Sequence, residues 1–466
     1  MAKVISDKQR TLIFVNIIIS CVASSMLMTA LTSALPAVVS DLHISYAAGQ
    51  WITSGYSLIM GIMMPLTAFL ITRFPTKKLY LVGIGLSIFG LLLCIVAPNF
   101  PLIMIARGLQ ACGNGISTSM AQVILLTIYP PEKRGTAMGG YGLASGAAPV
   151  IAPTLAGIIV DYWGWRAIFV PVLVILIVSF VWAVFSFDNV LATEEKSFDS
   201  QSFALSVIAF GGLTLGIGNV VSYGITNTNV WPILVAGIIA SVIFIRRQLH
   251  ISYPFLELRV FKDKNYTVSI VGSMLQQFTV MGLSVLFPMY IQTVCGYSAT
   301  ISGLVRLPGS LAMAVTSLFA GTLYDKVGIK KLFIIGPTVM LVSMLGIATF
   351  TVATPLWLIA VLNIIYNISI GFLMMPIVTW GMQGLNGSLT AHGSALMNSL
   401  KTVAGSIGAA LFVGIMSVAD ATATGKDPAY GFRLAVVFMA FTALALLVIG
   451  AVFTKPKKYE AVLKYK

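Results

Sequence analysis

The sequence predicts an all-α integral membrane protein that crosses the bilayer fourteen times, and three observations lead to this prediction. The 466 residues are 58% hydrophobic and only 9% charged, whereas a soluble domain carries roughly a quarter charged residues. Fourteen apolar stretches approach or exceed the roughly 20 residues that a spanning helix needs. The basic residues are concentrated in alternate connections, as expected for loops held on one side of a membrane.

The predicted spanning stretches follow one another closely along the chain. They cover residues 12–36, 47–72, 79–97, 102–127, 136–160, 166–187, 202–223, 229–246, 267–293, 301–324, 332–351, 356–378, 392–418 and 432–454. The seventh and eighth stretches are short and border the polar run at 226–229, so a count of twelve remains an alternative. The first stretch is too long for a signal-peptide core and is expected to be retained as a helix.

The net charge of +14 is explained better by topology than by a nucleic-acid partner. With the N-terminus inside, the cytoplasmic loops and tails hold 22 of the 28 Lys and Arg residues, and the outer loops hold three. Such asymmetry orients helices in the membrane. We therefore expect a multi-pass protein of the plasma membrane with both termini in the cytoplasm, and no nucleic-acid partner.

The polar residues do not form the motifs of an enzyme. The three His residues are far apart in the sequence, and the four Cys residues, which lie in or beside apolar segments, have no metal-ligand spacing. The sequence contains no P-loop, which excludes an ATP-driven pump within this chain. We expect no enzymatic activity, no metal and no cofactor.

The longest polar connections bracket one pair of helices and divide the rest into two blocks of six. This pattern predicts an N-terminal six-helix bundle at 1–190, an inserted two-helix linker at 191–265 and a C-terminal six-helix bundle at 266–466. A six-plus-two-plus-six arrangement is typical of a transporter built from two related halves, with its site at mid-membrane between them.

Four motifs occur in order on the predicted helices. The loop at 321–331 matches G-x-L-x-D-x-x-G-x-(R/K)-(R/K), with Asp325 as its acid, and the loop at 68–78 is a degenerate copy. Segment 4 contains an R-x-x-Q motif formed by Arg107 and Gln110. Segment 5 contains a run of small residues with Pro149 and Pro153.

These motifs resemble those of the major facilitator superfamily, specifically its fourteen-helix drug:proton antiporter branch of the EmrB/QacA type. The resemblance extends nearly end to end, and among members the lincomycin-resistance exporters are the most similar. It implies secondary transport by alternating access, with roles in coupling or conformational change for Arg107, Asp325 and the segment 5 prolines. Small residues in segment 5 also allow close helix packing, and its prolines bend the helix.

One feature of that branch is missing from the first helix. Its members usually carry an acid before the A-L-P that ends this helix, and Leu27 stands there instead. All fourteen Asp and Glu residues fall in predicted loops, tails or last helical turns. The charges expected inside the membrane are all basic: Arg107, Arg306 and Lys401. Because intramembrane charges are costly, they are functional candidates.

Two hypotheses follow from this distribution of charge. The translocation path is expected to favour anionic or zwitterionic amphiphiles over the cations that related exporters take. If transport is proton-driven, the titrating group is Lys401, whose charged form burial disfavours, or Asp161 after the segment 5 motif, with His392 third. Arg107 and Arg306 have competing structural explanations, namely hydrogen bonds to neighbouring helices and snorkelling to the head groups.

A drug-sized site is mostly apolar with a few polar groups, and the polar interruptions of the spanning stretches provide candidates. The predicted substrate-binding residues are Met26, Thr29, Gln110, Asn114, Gln276, Gln277, Arg306, Asn363, Tyr366, Asn367, Asn398 and Lys401. The alternative for each of these residues is a structural role in joining one helix to another.

Taken together, the sequence predicts a monomeric secondary transporter that exports small amphipathic compounds, as in multidrug efflux, and is linked to protons. The alternative is a dedicated transporter or flippase for an anionic amphiphile or lipid that is not coupled through the usual helix 1 carboxylate. A sensor with this fold that transports nothing is a third possibility, which flux into proteoliposomes would exclude.

Overall fold

The computed structural model describes residues 6–44, 46–191, 193, 198–223, 227–228, 230–251, 254–385, 388–422 and 427–454. Among these residues the chain forms fourteen α-helices and no strand. They are α1 (Asp7–Asp41), α2 (Tyr46–Arg73), α3 (Thr76–Val96), α4 (Phe100–Ile128), α5 (Arg134–Trp163), α6 (Phe169–Ser186), α7 (Ser200–Tyr223), α8 (Trp231–His250), α9 (Lys264–Met289), α10 (Ala299–Val327), α11 (Ile329–Ile347), α12 (Leu356–Met382), α13 (Ser388–Thr422) and α14 (Tyr430–Phe453). The all-α class is confirmed.

Thirteen of the described helices are long and apolar enough to cross a membrane, and α5 is not among them. At 30 residues and 1.5 Å per residue, α5 is about 45 Å long, which exceeds the roughly 30 Å of a bilayer core. The side chains of several residues in its middle, Pro149 and Pro153 among them, lie outside the described residues, so α5 is not described over a full apolar span. The count of fourteen crossings therefore stays a prediction.

Helix ends are set by side chains that accept from the first turn. Asn99 Oδ1 accepts from the backbone N–H of Leu102 at 3.1 Å before α4, and Asp263 Oδ1 accepts from Tyr266 N at 2.9 Å before α9. Both caps satisfy backbone donors that have no partner within the helix. The helices also extend beyond the predicted apolar stretches: α1 spans 7–41 rather than 12–36. Polar residues can continue a helix past the hydrocarbon layer.

The helices pack in two groups that meet along two seams. The first six helices contact one another mainly through α1–α5, α2–α4, α3–α4 and the contacts of α6, and the last six mainly through α9–α13, α10–α12 and α11–α14. Between the groups, α5 packs on α10 and α2 packs on α13. Helix α7 contacts both α2 and α13, so the inserted pair lies beside that second seam. The division at 190 and 265 stays a prediction.

The first helix begins and the last helix ends at the same face of this bundle, which we call the terminal face. Arg10 lies over the ring of Tyr129 with 5.7 Å to its centroid, which places the start of α1 beside the end of α4. Gly450 near the end of α14 packs against Phe333 near the start of α11. The starts of α5 and α11 and the end of α10 meet at the same face. We call the opposite face the distal face.

The first six helices are tied together at the distal face by an ion pair. Arg166 Nη1 donates to Asp41 Oδ2 at 2.6 Å, and Arg166 Nη2 donates to the carbonyl of Ala97 at 2.9 Å. Trp165 Nε1 donates to the same carboxylate at 3.1 Å. The hydrogen bonds from Arg166 and then from Trp165 hold the pKa of Asp41 below its usual value. The contact joins the ends of α1 and α3 to the α5–α6 connection.

Candidate functional site

A cavity of about 220 Å³ lies within the first six helices. The lining residues come from α1 to α5 and share two properties: none is charged, and most carry a hydroxyl, amide or thiol group. They are Ile17, Ser20, Cys21, Ser24, Ser25, Tyr56, Met60, Tyr80, Asn114, Ser117, Thr118, Ala121, Tyr141 and Ser145. The cavity is therefore formed by one half of the molecule, rather than by both as a mid-membrane site between halves would require.

The hydroxyl groups at one wall of the cavity are largely satisfied by one another. Ser24 Oγ donates to Asn114 Oδ1 at 2.6 Å, and Asn114 Nδ2 donates to the hydroxyl of Tyr56. Deeper in the bundle, Ser20 Oγ is 2.9 Å from the hydroxyl of Tyr80 and 2.7 Å from Ser179 Oγ. Because these polar groups already have partners, the wall presents little unmet hydrogen-bonding capacity and suits a largely apolar, uncharged group.

Arg107 adjoins this wall without lining the cavity. It is only 1% exposed, its Nε donates to the carbonyl of Ile52 at 3.2 Å, and its Nη1 donates to Gln110 Oε1 at 2.8 Å. The guanidinium lies 4.0 Å from the centroid of the Tyr56 ring, a favourable cation–π geometry. Gln110 Nε2 in turn donates to Cys94 Sγ at 3.2 Å. Arg107 and Gln110 thus join α2, α3 and α4 behind the cavity.

The α5–α10 seam closes at the terminal face around Asp325. Its Oδ1 accepts from the backbone N–H of Gly135 at 2.8 Å, and its Oδ2 accepts from the backbone N–H and the hydroxyl of Thr136 at 2.7 and 2.6 Å. A carboxylate at the first turn of a helix is stabilised by unpaired N–H groups and by the helix dipole. The last turn of α10 is thereby fastened to the first turn of α5.

The backbones of α5 and α10 approach closely behind this contact. A Cβ placed on Gly139 would lie 2.8 Å from the carbonyl oxygen of Ser317, and one on Gly321 would overlap the carbonyl of Gly135. Further from the terminal face, a Cβ on Gly146 would lie 3.1 Å from Met313 Cε and 3.6 Å from Ala314 Cα. These glycines let the seam close without side chains between the helices.

A second contact between the groups joins α4 to α13. Gln122 Oε1 accepts from Ser394 Oγ at 2.8 Å and from Asn398 Nδ2 at 3.1 Å. Gln122 lies near the terminal end of α4, and Ser394 near the start of α13. The contacts of Asp325 and of Gln122 both lie in the terminal half of the helices, and they close the terminal face in this conformation.

The structure brings four predicted substrate residues together between α10 and α12. Asn363 Nδ2 donates to the backbone carbonyl of Arg306 at 3.3 Å, and Asn367 Nδ2 donates to Asn363 Oδ1 at 3.0 Å. Tyr366 is 4% exposed, and its hydroxyl is buried without a hydrogen-bond partner among the described residues. These residues do not line the described cavity.

The other predicted substrate residues are spread over several helices. Asn114 is the one predicted residue that lines the cavity. Gln276 Nε2 donates to the carbonyl of Ile370 at 3.1 Å and so joins α9 to α12. Gln277 lies against Gly405 of α13, and Met26 packs on the apolar core of the first group. The side chain of Thr29 lies outside the described residues.

Lys401 lies on α13 seven residues after Ser394 and three after Asn398. At 100° per residue these three positions fall on one helix face, the face that contacts α4. Lys401 is partly buried, and no described residue hydrogen-bonds to its amine or forms an ion pair with it. Asp161 is exposed in the last turn of α5. The side chains of Pro149 and Pro153 lie outside the described residues.

The sequence prediction omitted Gln122, Tyr56, Tyr80 and Tyr141. Gln122 interrupts the apolar last third of α4, a signal of the same kind as Asn114, and could have been found. The tyrosines could not, since each fits the apolar pattern of its helix and only the tertiary structure places its hydroxyl at the cavity wall.

Comparisons with known proteins agree with this architecture. The Major Facilitator Superfamily profile matches residues 17–409. The MFS-type transporter YhcA of Bacillus subtilis is 36% identical over 409 residues, which cover 86% of this chain and 77% of YhcA. The lincomycin resistance protein LmrB of Bacillus subtilis is 33% identical over 446 residues, which cover 93% of each chain.

Solved structures show the same fold at low sequence identity. The human organic anion transporter MFSD10 superposes with a TM-score of 0.66 at 12% identity, covering 96% of this chain and all of that one. The profile match, the relatives and the helical architecture lead to one conclusion: this chain is a membrane transporter, not an enzyme, and it belongs to the major facilitator superfamily.

Proposed function

We propose that this chain exports small amphipathic compounds across the plasma membrane by alternating access, as a monomer with both termini in the cytoplasm. The observation that carries this proposal is a terminal face closed by the contacts of Asp325 and Gln122, combined with a cavity deeper in the first six helices. A transporter closed on its cytoplasmic side and able to hold a solute at depth is in a state that can release outward. The resistance function in the name of LmrB supports export.

We further propose that export is linked to protons through Lys401. The usual helix 1 acid is replaced by Leu27, which is fully buried in the apolar core. Lys401 is partly buried on the face of α13 that contacts α4, and it has no described partner. An amine in an apolar setting releases its proton more readily than one in water. Asp161 has weaker support because it is exposed at a helix end.

The test is flux in proteoliposomes that contain the purified chain, with and without an imposed pH gradient, using lincomycin and the cationic dye ethidium as probes. We expect gradient-dependent flux of at least one probe, which Lys401→Ala lowers at least about tenfold, as loss of an essential charged group in the membrane would. Asp161→Asn and Lys262→Ala, which alters an exposed lysine outside the motifs, serve as controls and leave flux unchanged.

Two results would contradict the proposal in different ways. Absence of flux for a broad panel of amphiphiles would argue against export. Flux that the pH gradient drives equally well in Lys401→Ala would remove Lys401 from the coupling mechanism, and a loss in Asp161→Asn would transfer that role to Asp161.

A dedicated transporter or flippase for an anionic amphiphile or lipid is the second candidate. It is favoured by the charges, because Arg107, Arg306 and Lys401 lie well inside helices whereas every described ion pair lies at a helix end or in a connection. A panel of anionic and cationic amphiphiles in the same proteoliposomes distinguishes the candidates. Flux restricted to one anionic compound would select the dedicated transporter.

A further inference from the structure

Arg306 lies on the face of α10 that packs against α12. Gly309 faces Asn363 and Asn367 of α12 so closely that an added Cβ would lie 2.9 Å from Asn367 Nδ2 and overlap the amide of Asn363. Gly371 of α12 likewise faces Met313 of α10. Positions 306, 309 and 313 are spaced three and four apart and so form one stripe, which places Arg306 one turn from Gly309 toward the distal face.

Arg306, Asn363, Tyr366 and Asn367 form a cluster in which the two amide side chains donate the described hydrogen bonds. The guanidinium and the tyrosine hydroxyl donate none to a described residue. Asn363 donates to the carbonyl of Arg306, and Asn367 donates to the carbonyl and side-chain oxygens of Asn363 at 2.8 and 3.0 Å. No described residue accepts a hydrogen bond from the Arg306 guanidinium. Tyr366 lies about one turn after Asn363 on α12, and its hydroxyl is buried without a hydrogen-bond partner among the described residues.

The cluster also lacks a counter-charge. The five described ion pairs belong to Arg10, Arg166, Arg247, Arg259 and Arg433. The one acid on α10 is Asp325, nineteen residues from Arg306 or about 28 Å along the helix, and it binds α5. An uncompensated guanidinium and an unsatisfied hydroxyl, carried by two helices in contact, are both unfavourable in an apolar setting. The group that would satisfy both is an anion with oxygen acceptors.

We propose that Arg306, Tyr366 and Asn367 form a subsite for the anionic group of the transported amphiphile, namely a carboxylate, sulfonate or phosphate. Arg306 supplies charge and a planar pair of donors, Tyr366 a single hydroxyl donor, and Asn367 an amide that now donates to Asn363. This inference rests on the proposed transport function and specifies its substrate class. The uncharged cavity of the first six helices suits the apolar part of such a compound.

The same chemistry could come from a solute or from the phosphate of a lipid. Arg306 is seven residues into α10, about 10 Å from its distal end. That depth lies within the roughly 15 Å of one leaflet of the hydrocarbon core, and a long arginine can reach the head groups. The experiment therefore varies the solute and the lipid separately.

The test measures binding of pyrenebutyrate and of its uncharged amide to the purified full chain in phosphatidylcholine nanodiscs, with empty nanodiscs as background. We expect the acid to bind at least about tenfold more tightly than the amide, because a charged hydrogen bond contributes about 1.5–3 kcal/mol. Arg306→Gln abolishes this preference and Tyr366→Phe reduces it severalfold. Arg433→Gln, which removes an ion-paired arginine of the same six helices, leaves it unchanged.

A thermal unfolding midpoint measured on each variant separates binding from folding. Removal of an uncompensated charge leaves the midpoint of Arg306→Gln equal to or above that of the wild type, whereas a structural arginine would lower it. Equal affinity of the wild type for acid and amide, or an acid preference retained in Arg306→Gln, overturns the proposal.

Added phosphatidylglycerol identifies the source of the anion. If the lipid occupies the subsite, it weakens pyrenebutyrate binding in the wild type more than in Arg306→Gln; equal weakening assigns the subsite to the solute. The same measurements distinguish failure of this subsite from failure of the transport proposal. Lincomycin flux without an acid preference removes this subsite alone, and an Arg306-dependent preference in a chain that moves no solute removes export alone.

Discussion

The related segments 68–78 and 321–331 occupy equivalent places in the two halves. The first spans the end of α2 and the second spans the end of α10, and they differ in the contacts that they make. In the second loop, Asp325 reaches across to the first turn of α5 and accepts three hydrogen bonds. In the first loop, Thr72 stands at the equivalent position, is buried, and donates to the carbonyl of Phe69 in its own helix at 2.8 Å. The α5–α10 seam is thus held by a charged group, whereas segment 68–78 has no carboxylate at the equivalent position.

The backbone conformation just after the helix end also differs between the two segments. Gly328 turns the chain between α10 and α11 with φ of 75° and ψ of −178°, a conformation that is essentially confined to glycine. Pro75 stands at the equivalent position with φ of −55°. Gly321, which lets α10 approach α5, corresponds to Ala68 of α2. The intact motif thus combines close approach with a charge contact, whereas the degenerate copy has Ala68 and Thr72 at the corresponding positions.

Closure of the terminal face is therefore asymmetric. The α5–α10 seam depends on bare backbone and one carboxylate, whereas the described polar contact on the α4–α13 side is the neutral one made by Gln122. Three substitutions separate these contributions. In each case the distance between spin labels at the exposed Glu132 and Lys326, in a variant whose four native cysteines are replaced, reports how far the terminal face has closed.

Gly321→Ala should have the largest effect. The added methyl group would overlap the carbonyl of Gly135 and the Cα of Gly139, and backbone cannot move aside as a flexible side chain can. Overpacking of this kind costs about 1–3 kcal/mol. At the upper end, the equilibrium constant for closing falls about a hundredfold, and the label distance lengthens.

Gly61→Ala is the matched control for that substitution. An added Cβ at Gly61 of α2 meets nothing within 4 Å, so the distance distribution should equal that of the parent. An unchanged distribution in Gly321→Ala as well would show that close approach of α5 and α10 is not required for closure.

Asp325→Asn should rank second. It keeps the shape of the side chain but removes the charge, which contributes to hydrogen bonds worth about 1.5–3 kcal/mol, and it leaves one acceptor oxygen, so that the amide nitrogen faces a backbone N–H donor. We expect closing to weaken about tenfold. Thr72→Ala, its counterpart in the first loop, should leave closure unchanged because Thr72 bonds within its own helix. An equal effect of the two substitutions would contradict the asymmetry.

Gln122→Ala should have the smallest effect. It removes one neutral acceptor shared by Ser394 and Asn398, and a neutral hydrogen bond contributes about 1 kcal/mol. Closing should weaken about fivefold. Adding Gln122→Ala to Asp325→Asn should multiply the two effects, because the residues lie in different contacts; a double variant no worse than Asp325→Asn would mean that the contacts act as one unit.

The sequence predicted the architecture more fully than it predicted the site. Apolar length located fourteen helices within a few residues at most ends, because burial in lipid demands long uninterrupted runs. It found Asp325 through its motif, and Arg306 through the rarity of charge in such runs. It did not find Tyr56 or Tyr141, since a tyrosine in an apolar helix is indistinguishable from packing until its hydroxyl is placed.

Taken alone, the sequence determined that this is an all-α membrane protein of the major facilitator superfamily, because hydrophobic length, basic loops and ordered motifs are local properties of the chain. The tertiary structure decided which polar residues meet. It placed Asn114 on the cavity wall, Gln276 between two helices of one bundle, and Arg306 on the stripe of α10 that packs against the helix of Tyr366. Such partnerships join residues far apart in the chain, and helical periodicity specifies a face but not the neighbour that covers it.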